Sequence, residues 1–292
     1  MQVESSAGPP GLPHRPVTVT RIEASKGILL PDLREVWHFK ELLYYMLWRD
    51  VKARYKQTLV GSLWAIIRPV VTMIQMTLIF NYVAKIDSGD VPYPLFSFVG
   101  ISIWGYFSSC VTSGSSSLLG AGGIVSKTYF PRLFVPIASV TAPLIDFALT
   151  LPILGLLMVR YHWAPGWQIV LMPLFLLFAL LAGLAVALWL SPVTVRYRDI
   201  PFALPFLVQI WFYATPIVYP AEKFRESVPE KWHWIVDYNP MTAVVEGFRW
   251  SVLGGDTPSF GLLLPSTVVM FLLLLGGLLS FRRAERTVVD VL

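Results

Sequence analysis

The chain contains 292 residues, of which 55% are hydrophobic and only 14% are charged, with a mean hydropathy of +0.62 and a formal net charge of +5. Soluble domains carry about 25% charged residues, so this composition excludes an ordinary soluble domain. It predicts an all-α integral membrane protein, because each span needs about 20 apolar residues. The single cysteine, Cys110, excludes an intrachain disulfide and a cysteine-rich metal site.

The first 30 residues are polar and rich in proline, glycine and serine. They contain no apolar segment of the kind that a secretory signal peptide requires. We therefore expect residues 1–30 to form a flexible extension, and we expect the first membrane span to direct insertion.

Residues 31–57 are predicted to form a cytosolic amphipathic interface helix, with Asp32 and Glu35 in a capping-box pattern at its start. Apolar side chains recur there at three- and four-residue steps, as on one face of a helix. The stripe consists of Val36, Phe39, Leu43, Met46, Leu47 and Val51. Two placements stay open. The helix lies either on the membrane surface, which suits its tryptophan and tyrosine rings, or against a soluble partner domain.

Residues 58–292 are predicted to form a six-helix transmembrane domain with spans at 62–84, 95–119, 137–159, 167–190, 202–219 and 262–281. An even number of spans puts both termini on one side. Lysine and arginine concentrate in the terminal segments and in the loops near 120–136 and 191–201, so these regions are expected to face the cytosol. Anionic lipid explains basic residues at such boundaries, and no nucleic-acid partner is expected.

An outer segment, residues 220–261, separates the last two spans and contains a predicted helix. Asn239 is suited to capping this helix and Pro240 to its first position. An apolar stripe then runs from Met241 to Val252 and stops at Gly254. The helix is expected to be half-buried, either as a lid that dips into the membrane over a pathway or as a helix that rests on the bundle.

Motifs for catalysis are absent from the sequence, and its four histidines do not have metal-ligand spacing. Residues 121–128 resemble a phosphate-binding loop but lack the required glycines, and they follow a membrane span where such a loop would follow a strand. We therefore expect no catalytic residue, metal or cofactor on this chain.

Two ionisable residues, Asp146 and Arg68, fall inside predicted spans. A carboxylate in mid-membrane costs about 2.5–3.5 kcal/mol, so Asp146 is expected to face the bundle interior and to have a polar partner or water. It either pins two helices together or contacts a substrate. Arg68 lies near the cytosolic end of its span and can extend its side chain to the surface.

Aromatic residues are abundant in the predicted spans. Interfacial anchoring is the usual role of tryptophan and tyrosine in membrane proteins. Rings that face inward instead suit the apolar faces of sugar rings, as in a pathway for a sliding polymer. The candidates for such a substrate pathway are Trp64, Trp104, Tyr106, Trp211 and Tyr213.

Residues 49–64, followed by Pro69, resemble the signature of type-2 ABC exporter permeases for cell-surface polysaccharides such as O-antigen, capsule or teichoic acid. Similar motifs occur at 127–133, 196–199, 239–249 and 281–286, so the resemblance covers residues 33–292. Val60 departs from the pattern, which favours leucine before the glycine.

This resemblance implies an ATP-driven exporter of lipid-linked polysaccharide in the bacterial inner membrane. The chain would work as a homodimer with two copies of a separate ATPase, and that subunit would bind the ATP and Mg²⁺. By the same resemblance, the ATPase-coupling residues are Arg54, Lys56, Lys127, Tyr129, Phe130 and Arg132. The residues of an outer gate are Asn239, Pro240, Glu246 and Arg249.

Alternative functions differ in what they require of the sequence. An ABC permease for a drug, lipid or haem would share the motifs but carry another cargo. An integral-membrane glycosyl- or acyltransferase would need clustered acids or histidines in its loops, and the sequence lacks them. A scaffold without a pathway would tolerate replacement of Trp64 and Lys127.

Overall fold

The structure, a computed structural model, describes residues 37, 39–56, 61–86, 89–125 and 130–288. Within these residues every regular element is helical, which confirms the predicted all-α class. The helices are α1 (Lys40–Tyr55), α2 (Trp64–Met76), α3 (Tyr93–Ser115), α4 (Ser117–Gly120), α5 (Gly122–Val125), α6 (Phe134–Thr141), α7 (Leu144–Arg160), α8 (Met172–Arg196), α9 (Ile200–Ala214), α10 (Ala221–Ser227), α11 (Trp234–Asp237), α12 (Pro240–Leu253) and α13 (Phe260–Val288). A 3₁₀ turn precedes α2, and a π-helical segment, Thr77–Val83, continues it.

Five helical segments of the described chain are long and apolar enough to cross a membrane. They are Gly61–Val83, Tyr93–Ser115, Phe134–Arg160, Trp167–Arg196 and Phe260–Glu285. The predicted span at 202–219 contains only α9, whose 15 residues reach about 22 Å. The helix stops there because Thr215 precedes Pro216 and is extended, as residues before proline prefer to be. The predicted count of six spans is therefore not confirmed.

Prolines mark the breaks and starts of several helices. The third predicted span, 137–159, consists of two helices, α6 and α7, separated by a turn at Ala142 and Pro143. Proline lacks the N–H that would continue the ladder and fits the start of the following helix. Pro94, Pro173 and Pro201 are the second residues of α3, α8 and α9.

Helix α3 forms the centre of the bundle. In the span that α3 forms, 78% of the most apolar 18-residue stretch is buried inside the protein. The corresponding fraction is 6% in the span that contains α2. Small residues allow α8 to approach α3 closely. A Cβ atom built on Gly183 would lie 2.5 Å from the Cβ atom of Cys110, and one built on Gly114 would lie 2.4 Å from the Cβ atom of Ala187. Van der Waals contact between small residues is the usual means by which membrane helices associate.

Replacing Gly114 with alanine is expected to lower the free energy of unfolding by about 1–3 kcal/mol, because the added methyl group overpacks the contact with α8. Gly105 on the same helix is the matched control, since a Cβ atom there meets nothing within 4 Å. Thermal unfolding of the purified chain in detergent measures both variants. Equal melting temperatures for the two variants would contradict the close approach.

The described N-terminal helix and the last helix meet at one end of the bundle. Met46 of α1, Val195 of α8 and Phe281 of α13 are buried in one apolar cluster at that end. A smaller cluster joins Ala221 to Leu262, so α13 starts at the opposite end. The chain therefore travels from one end to the other between Val195 and Ala221, the stretch that contains α9.

Helix α1 packs its apolar face on this chain's own bundle. Met46 and Val51 are buried, and Phe39, Leu43 and Leu47 pack against the same cluster. Residues 31–36, 38 and 57 of the predicted helix lie outside the described residues. The described part of the stripe, from Phe39 to Val51, is thus covered by the membrane domain itself. The rings that stay exposed on this segment belong to Trp37, Tyr44, Tyr45 and Trp48.

Helix α12 begins and ends where the sequence predicts. The side chain of Asn239 accepts a hydrogen bond of 3.0 Å from the Met241 N–H, and Gly254 ends the helix with a φ of 75°. The expectation of a half-buried helix is wrong, because all of its 14 residues except Glu246 and Trp250 are buried. Helix α12 packs against α3, α8 and α13, so it belongs to the core of the bundle.

Candidate functional site

A cleft of about 450 Å³ lies where the end of α1 meets α2, α3 and α7. Trp64 and Arg68 line it from α2, while Arg54 and Asp146 enter from α1 and α7. Its remaining wall consists of Tyr55, of small residues in and before α2, and of small residues and rings of α3 and α7. This cleft is the candidate functional site, because it brings together charged and aromatic residues from four elements.

Asp146 is held from both sides by the end of α1. The Arg54 Nη1 atom donates to one carboxylate oxygen of Asp146 at 2.8 Å, and the Tyr55 hydroxyl donates to the other. Arg54 also donates to the Ser113 hydroxyl at 2.6 Å. Burial, together with the bond to Asp146, raises the pKa of the Tyr55 hydroxyl, so it stays a donor at neutral pH. We call Arg54, Tyr55 and Asp146 the α1 clamp.

A second polar contact fixes α1 one turn earlier. The Arg49 guanidinium donates to Asp50 at 2.8 Å, and the Ser139 hydroxyl of α6 donates to the other oxygen of Asp50 at 3.0 Å. The polar residues of the motif at 49–64 therefore join α1 to α3, α6 and α7. The sequence singled out Asp146 and Arg54 separately. The charge of Asp146 could have predicted this pair, because a carboxylate inside a span needs a basic or hydroxyl partner.

Trp64 and Arg68 stand one turn apart on α2 and remain accessible. Trp64 is 48% exposed, and the Arg68 guanidinium carbon lies 5.9 Å from its ring centre. Among the described residues, Arg68 forms no ion pair with an acidic side chain. These two side chains are thus free to meet a molecule that enters the cleft.

The other predicted pathway rings have different surroundings. Trp104 is 6% exposed, and its ring centre lies 6.2 Å from that of Trp211. Tyr106 borders the cleft but is buried, and its hydroxyl donates to the Val140 carbonyl at 3.2 Å. Tyr213 is 49% exposed. Trp104 is therefore buried within the chain and Trp211 is partly buried beside it, while Trp64 and Tyr213 stay accessible.

The predicted gate residues connect α12 to its neighbours. Arg249 is 6% exposed and donates to the carbonyls of Pro216 and Ile217 at 3.0 Å and 2.9 Å. Its other terminal nitrogen donates to Glu246 at 2.9 Å, and its guanidinium carbon lies 3.8 Å from the Phe96 ring centre. These contacts tie α12 to α3 and to the turn after α9.

The cap of α12 makes a further connection. The Asn239 amide oxygen accepts from the Trp211 indole at 3.0 Å, and its amide nitrogen donates to Thr215 at 2.8 Å. Pro240 follows as the first residue of the helix. A role in gating stays a prediction for all four residues.

The predicted coupling residues have different surroundings. Arg54 points into the bundle as part of the α1 clamp, and Lys56 is exposed at the end of α1. Phe130 is buried in the apolar cluster, so its ring anchors the loop and is not presented to a partner. Arg132 donates to the Glu285 carbonyl of α13. The other two predicted coupling residues, Lys127 and Tyr129, lie outside the described residues.

A family model described as ABC-2 type transporter matches residues 41–253, which include α1, the cleft and α12. The chain belongs to this family. An ABC-2 permease works with an ATPase subunit, and its membrane domain crosses the membrane several times. The spans found in the structure agree with a multi-pass membrane protein.

Relatives of this permease are named as exporters of polysaccharide. The O-antigen export system permease protein RfbA of Myxococcus xanthus is 30% identical over 74% of this chain and 82% of its own length. An RfbA of Klebsiella pneumoniae is 25% identical over 86% of this chain and 95% of its own length. The polysialic acid transport protein KpsM of Escherichia coli is 23% identical over 71% and 79%.

Proposed function

We propose that this chain is the permease of an ATP-driven transporter that exports lipid-linked polysaccharide from the cytosol across the inner membrane. The observation that carries this proposal is the match to O-antigen export permeases, which reaches 95% of the length of one relative. The accessible Trp64 beside Arg68 supports it, because an aromatic face next to a cation suits a sugar joined to an anionic group.

The proposed topology has six crossings with both termini in the cytosol. The apolar cluster that joins α1 to the end of α13 puts both described ends of the chain on one side of the bundle. Helix α9 and the buried turn after it, which includes Ile217 and Val218, would together make the remaining crossing. Basic residues concentrate at the α1 end, which the positive-inside rule assigns to the cytosol.

The proposed assembly contains two copies of this chain and two copies of an ATPase subunit that binds ATP and Mg²⁺. Helices α2 and α9 carry large apolar side chains that the rest of the chain leaves exposed. They include Val71 of α2 and Phe202, Phe206 and Ile210 of α9, and Leu78 of the π-helical segment after α2 continues the same surface. We assign this surface to the second copy and the lipid, so that Trp64 and Tyr213 would border a pathway between the copies.

The proposed contact with the ATPase lies at the α1 end and uses Lys56, Lys127 and Tyr129. Arg54 would act behind this surface. Because it joins α1 to α3 and α7 through Ser113 and Asp146, a displacement of α1 would reach the cleft directly.

Affinity purification of the full chain from its native membrane tests the assembly. We expect an ATPase with a phosphate-binding loop to be recovered in equal amount by mass spectrometry. The double variant Lys56→Glu, Lys127→Glu is expected to reduce this recovery strongly, because both changes reverse charge at the proposed contact. Lys231→Glu, an exposed lysine of the outer segment, is the matched control. Recovery of the wild-type chain without an ATPase would refute the proposed function.

A further inference from the structure

Helices α8 and α13 run side by side toward the α1 end of the bundle, and one contact fixes their register. The Trp189 indole of α8 donates to the Leu273 carbonyl of α13 at 3.0 Å. The indole ring lies over a pair of glycines. A Cβ atom built on Gly276 would lie 2.8 Å from the Trp189 Cζ2 atom, and one built on Gly277 would lie 3.1 Å from its Cδ1 atom. Trp189 is therefore level with Gly276.

Two arginines follow this contact at equal distances. Arg196 comes seven residues after Trp189, and Arg283 comes seven residues after Gly276. Seven residues make almost two turns and a rise of about 10 Å, so each arginine shares the face of its reference residue. Arg196 ends one membrane span, and Arg283 lies near the end of the other. The register therefore puts both arginines at the boundary between hydrocarbon and headgroups.

The charges at this boundary are not balanced within the described part of the chain. Arg196 and Arg283 are both exposed, and neither forms an ion pair with a described acidic side chain. Residues 196–199 and 281–285 contain four arginines but only two acids, Asp199 and Glu285. Like charges at one level on touching helices repel each other. An anion between the two arginines would remove this repulsion.

An apolar surface continues from the two arginines into the membrane. Trp189 is 42% exposed, and Val193 is 40% exposed one turn nearer the boundary. On α13, Leu272 and Leu279 lie one turn to either side of Gly276 and are 62% and 36% exposed. The pair of helices thus presents cations at the boundary and accessible hydrocarbon beneath them. An anionic phospholipid has the complementary order of groups.

This surface lies apart from the candidate functional site. Ala187 of α8 faces Gly114 of α3, and Trp189 follows two residues later, about 200° around α8. The described residues that line the cleft do not come from α8 or α13. A molecule bound beside Trp189 would therefore contact the outside of the bundle, where bilayer lipid lies, and would not be cargo in the cleft.

We propose that the α1 end of the α8–α13 pair binds one anionic phospholipid of the cytosolic leaflet. Its phosphate accepts hydrogen bonds from Arg196 and Arg283, and one acyl chain covers Val193 and the exposed part of Trp189. The lipid offsets the repulsion between the arginines and holds the ends of the two helices together. The inference goes beyond the proposed function, since it uses the proposed orientation of the bundle but is independent of the cargo.

Native mass spectrometry of the purified full-length chain tests the site with phosphatidylglycerol as the probe and phosphatidylcholine as the reference. We expect one phosphatidylglycerol to bind at least about tenfold more tightly, because the choline group adds a third cation beside the two arginines. The double variant Arg196→Gln, Arg283→Gln is expected to lose this preference, and Arg196→Lys, Arg283→Lys to keep most of it. Arg160→Gln, Lys231→Gln removes two exposed cations of the outer end and is the matched control.

Two further measurements identify what is bound and what it does. Inorganic phosphate at matched concentration is expected not to displace the lipid, and displacement would overturn the lipid assignment in favour of a free-anion site. Phosphatidylglycerol is expected to raise the melting temperature of the unaltered chain but not that of the double glutamine variant, because a ligand stabilises the state that binds it. Melting temperatures in phosphatidylcholine alone confirm that each variant is folded.

Equal binding of the two lipids to the unaltered chain would refute the site. An unchanged preference in the double glutamine variant would refute it as well. Neither result bears on the transporter, because recovery of the ATPase with the wild-type chain would still support the proposed function.

Discussion

Replacing Arg249 with methionine is expected to lower the free energy of unfolding by about 3–5 kcal/mol, the cost of removing one partner from a buried ion pair. The Arg249 side chain satisfies Glu246 and the carbonyls of Pro216 and Ile217 at once. Methionine has a similar length but leaves all three acceptors without this donor. Because these contacts join α12 to the turn after α9, we also expect the outer part of the bundle to loosen and export to fail.

Arg249→Lys distinguishes charge from geometry at this position. Lysine keeps the positive charge but lacks the planar fork that reaches several acceptors together, so we expect it to recover less than half of the lost stability. Arg225→Met provides the control, since Arg225 pairs with Asp237 at 2.5 Å and stays 34% exposed. Thermal unfolding in detergent and the amount of surface polysaccharide are the measurements. A stability loss no larger than that of Arg225→Met would contradict the proposed importance of the Arg249 contacts.

Replacing Asp146 with alanine is expected to lower the melting temperature by about 5–10 °C and to abolish most export. The change leaves Arg54 without its carboxylate inside the bundle and releases the Tyr55 hydroxyl. Both carboxylate and guanidinium remain about a quarter exposed, so we place the loss at about 2–3 kcal/mol, below that of a fully buried pair.

A charge exchange separates the α1 clamp from the carboxylate alone. The double variant Arg54→Asp, Asp146→Arg restores an opposite-charge pair and is expected to recover part of the stability that each single change loses. Asp256→Ala, at an exposed acid of the outer segment, is the control. Export by Asp146→Ala at the level of this control would show that the clamp does not transmit motion. Additive losses in the double variant would show that the two residues do not interact.

These two predictions concern opposite ends of the bundle. The α1 clamp joins α1 to α3 and α7, and the Arg249 contacts join α12 to α3 and the turn after α9. Helix α3 is common to both, since Ser113 and Phe96 lie near its two ends. Helix α3 therefore connects the two sets of contacts.

The fifth predicted span shows where sequence reasoning misplaces the end of a helix. The apolar stretch at 202–219 looks long enough to cross a membrane, but α9 ends at Ala214. A hydropathy profile does not separate the residues of the following turn from the helix, because they are also apolar. The turn is decided by Pro216 and by the burial of Ile217 against the rest of the bundle, which hydropathy does not report.

The aromatic residues show a different limit. Trp104 and Trp211 carry the same chemistry as Trp64, and sequence alone gives all three an equal claim to a pathway. The structure separates them, because Trp104 and Trp211 pack on each other and Trp64 does not. The burial of a ring depends on which helices pack around it. The residue type and its position in the sequence do not specify this packing.

The sequence by itself determined the membrane class, the helix that precedes the first span, the cap at Asn239 and the polysaccharide-exporter resemblance. All of these depend on composition, local periodicity or contiguous motifs, which neighbouring residues specify. Only the tertiary structure decided that Arg54 binds Asp146, 92 positions away, and that Arg249 holds the carbonyl of Ile217, 32 positions away. Such pairs depend on helix packing, because a charge inside a membrane protein must find its partner wherever the bundle brings one within reach.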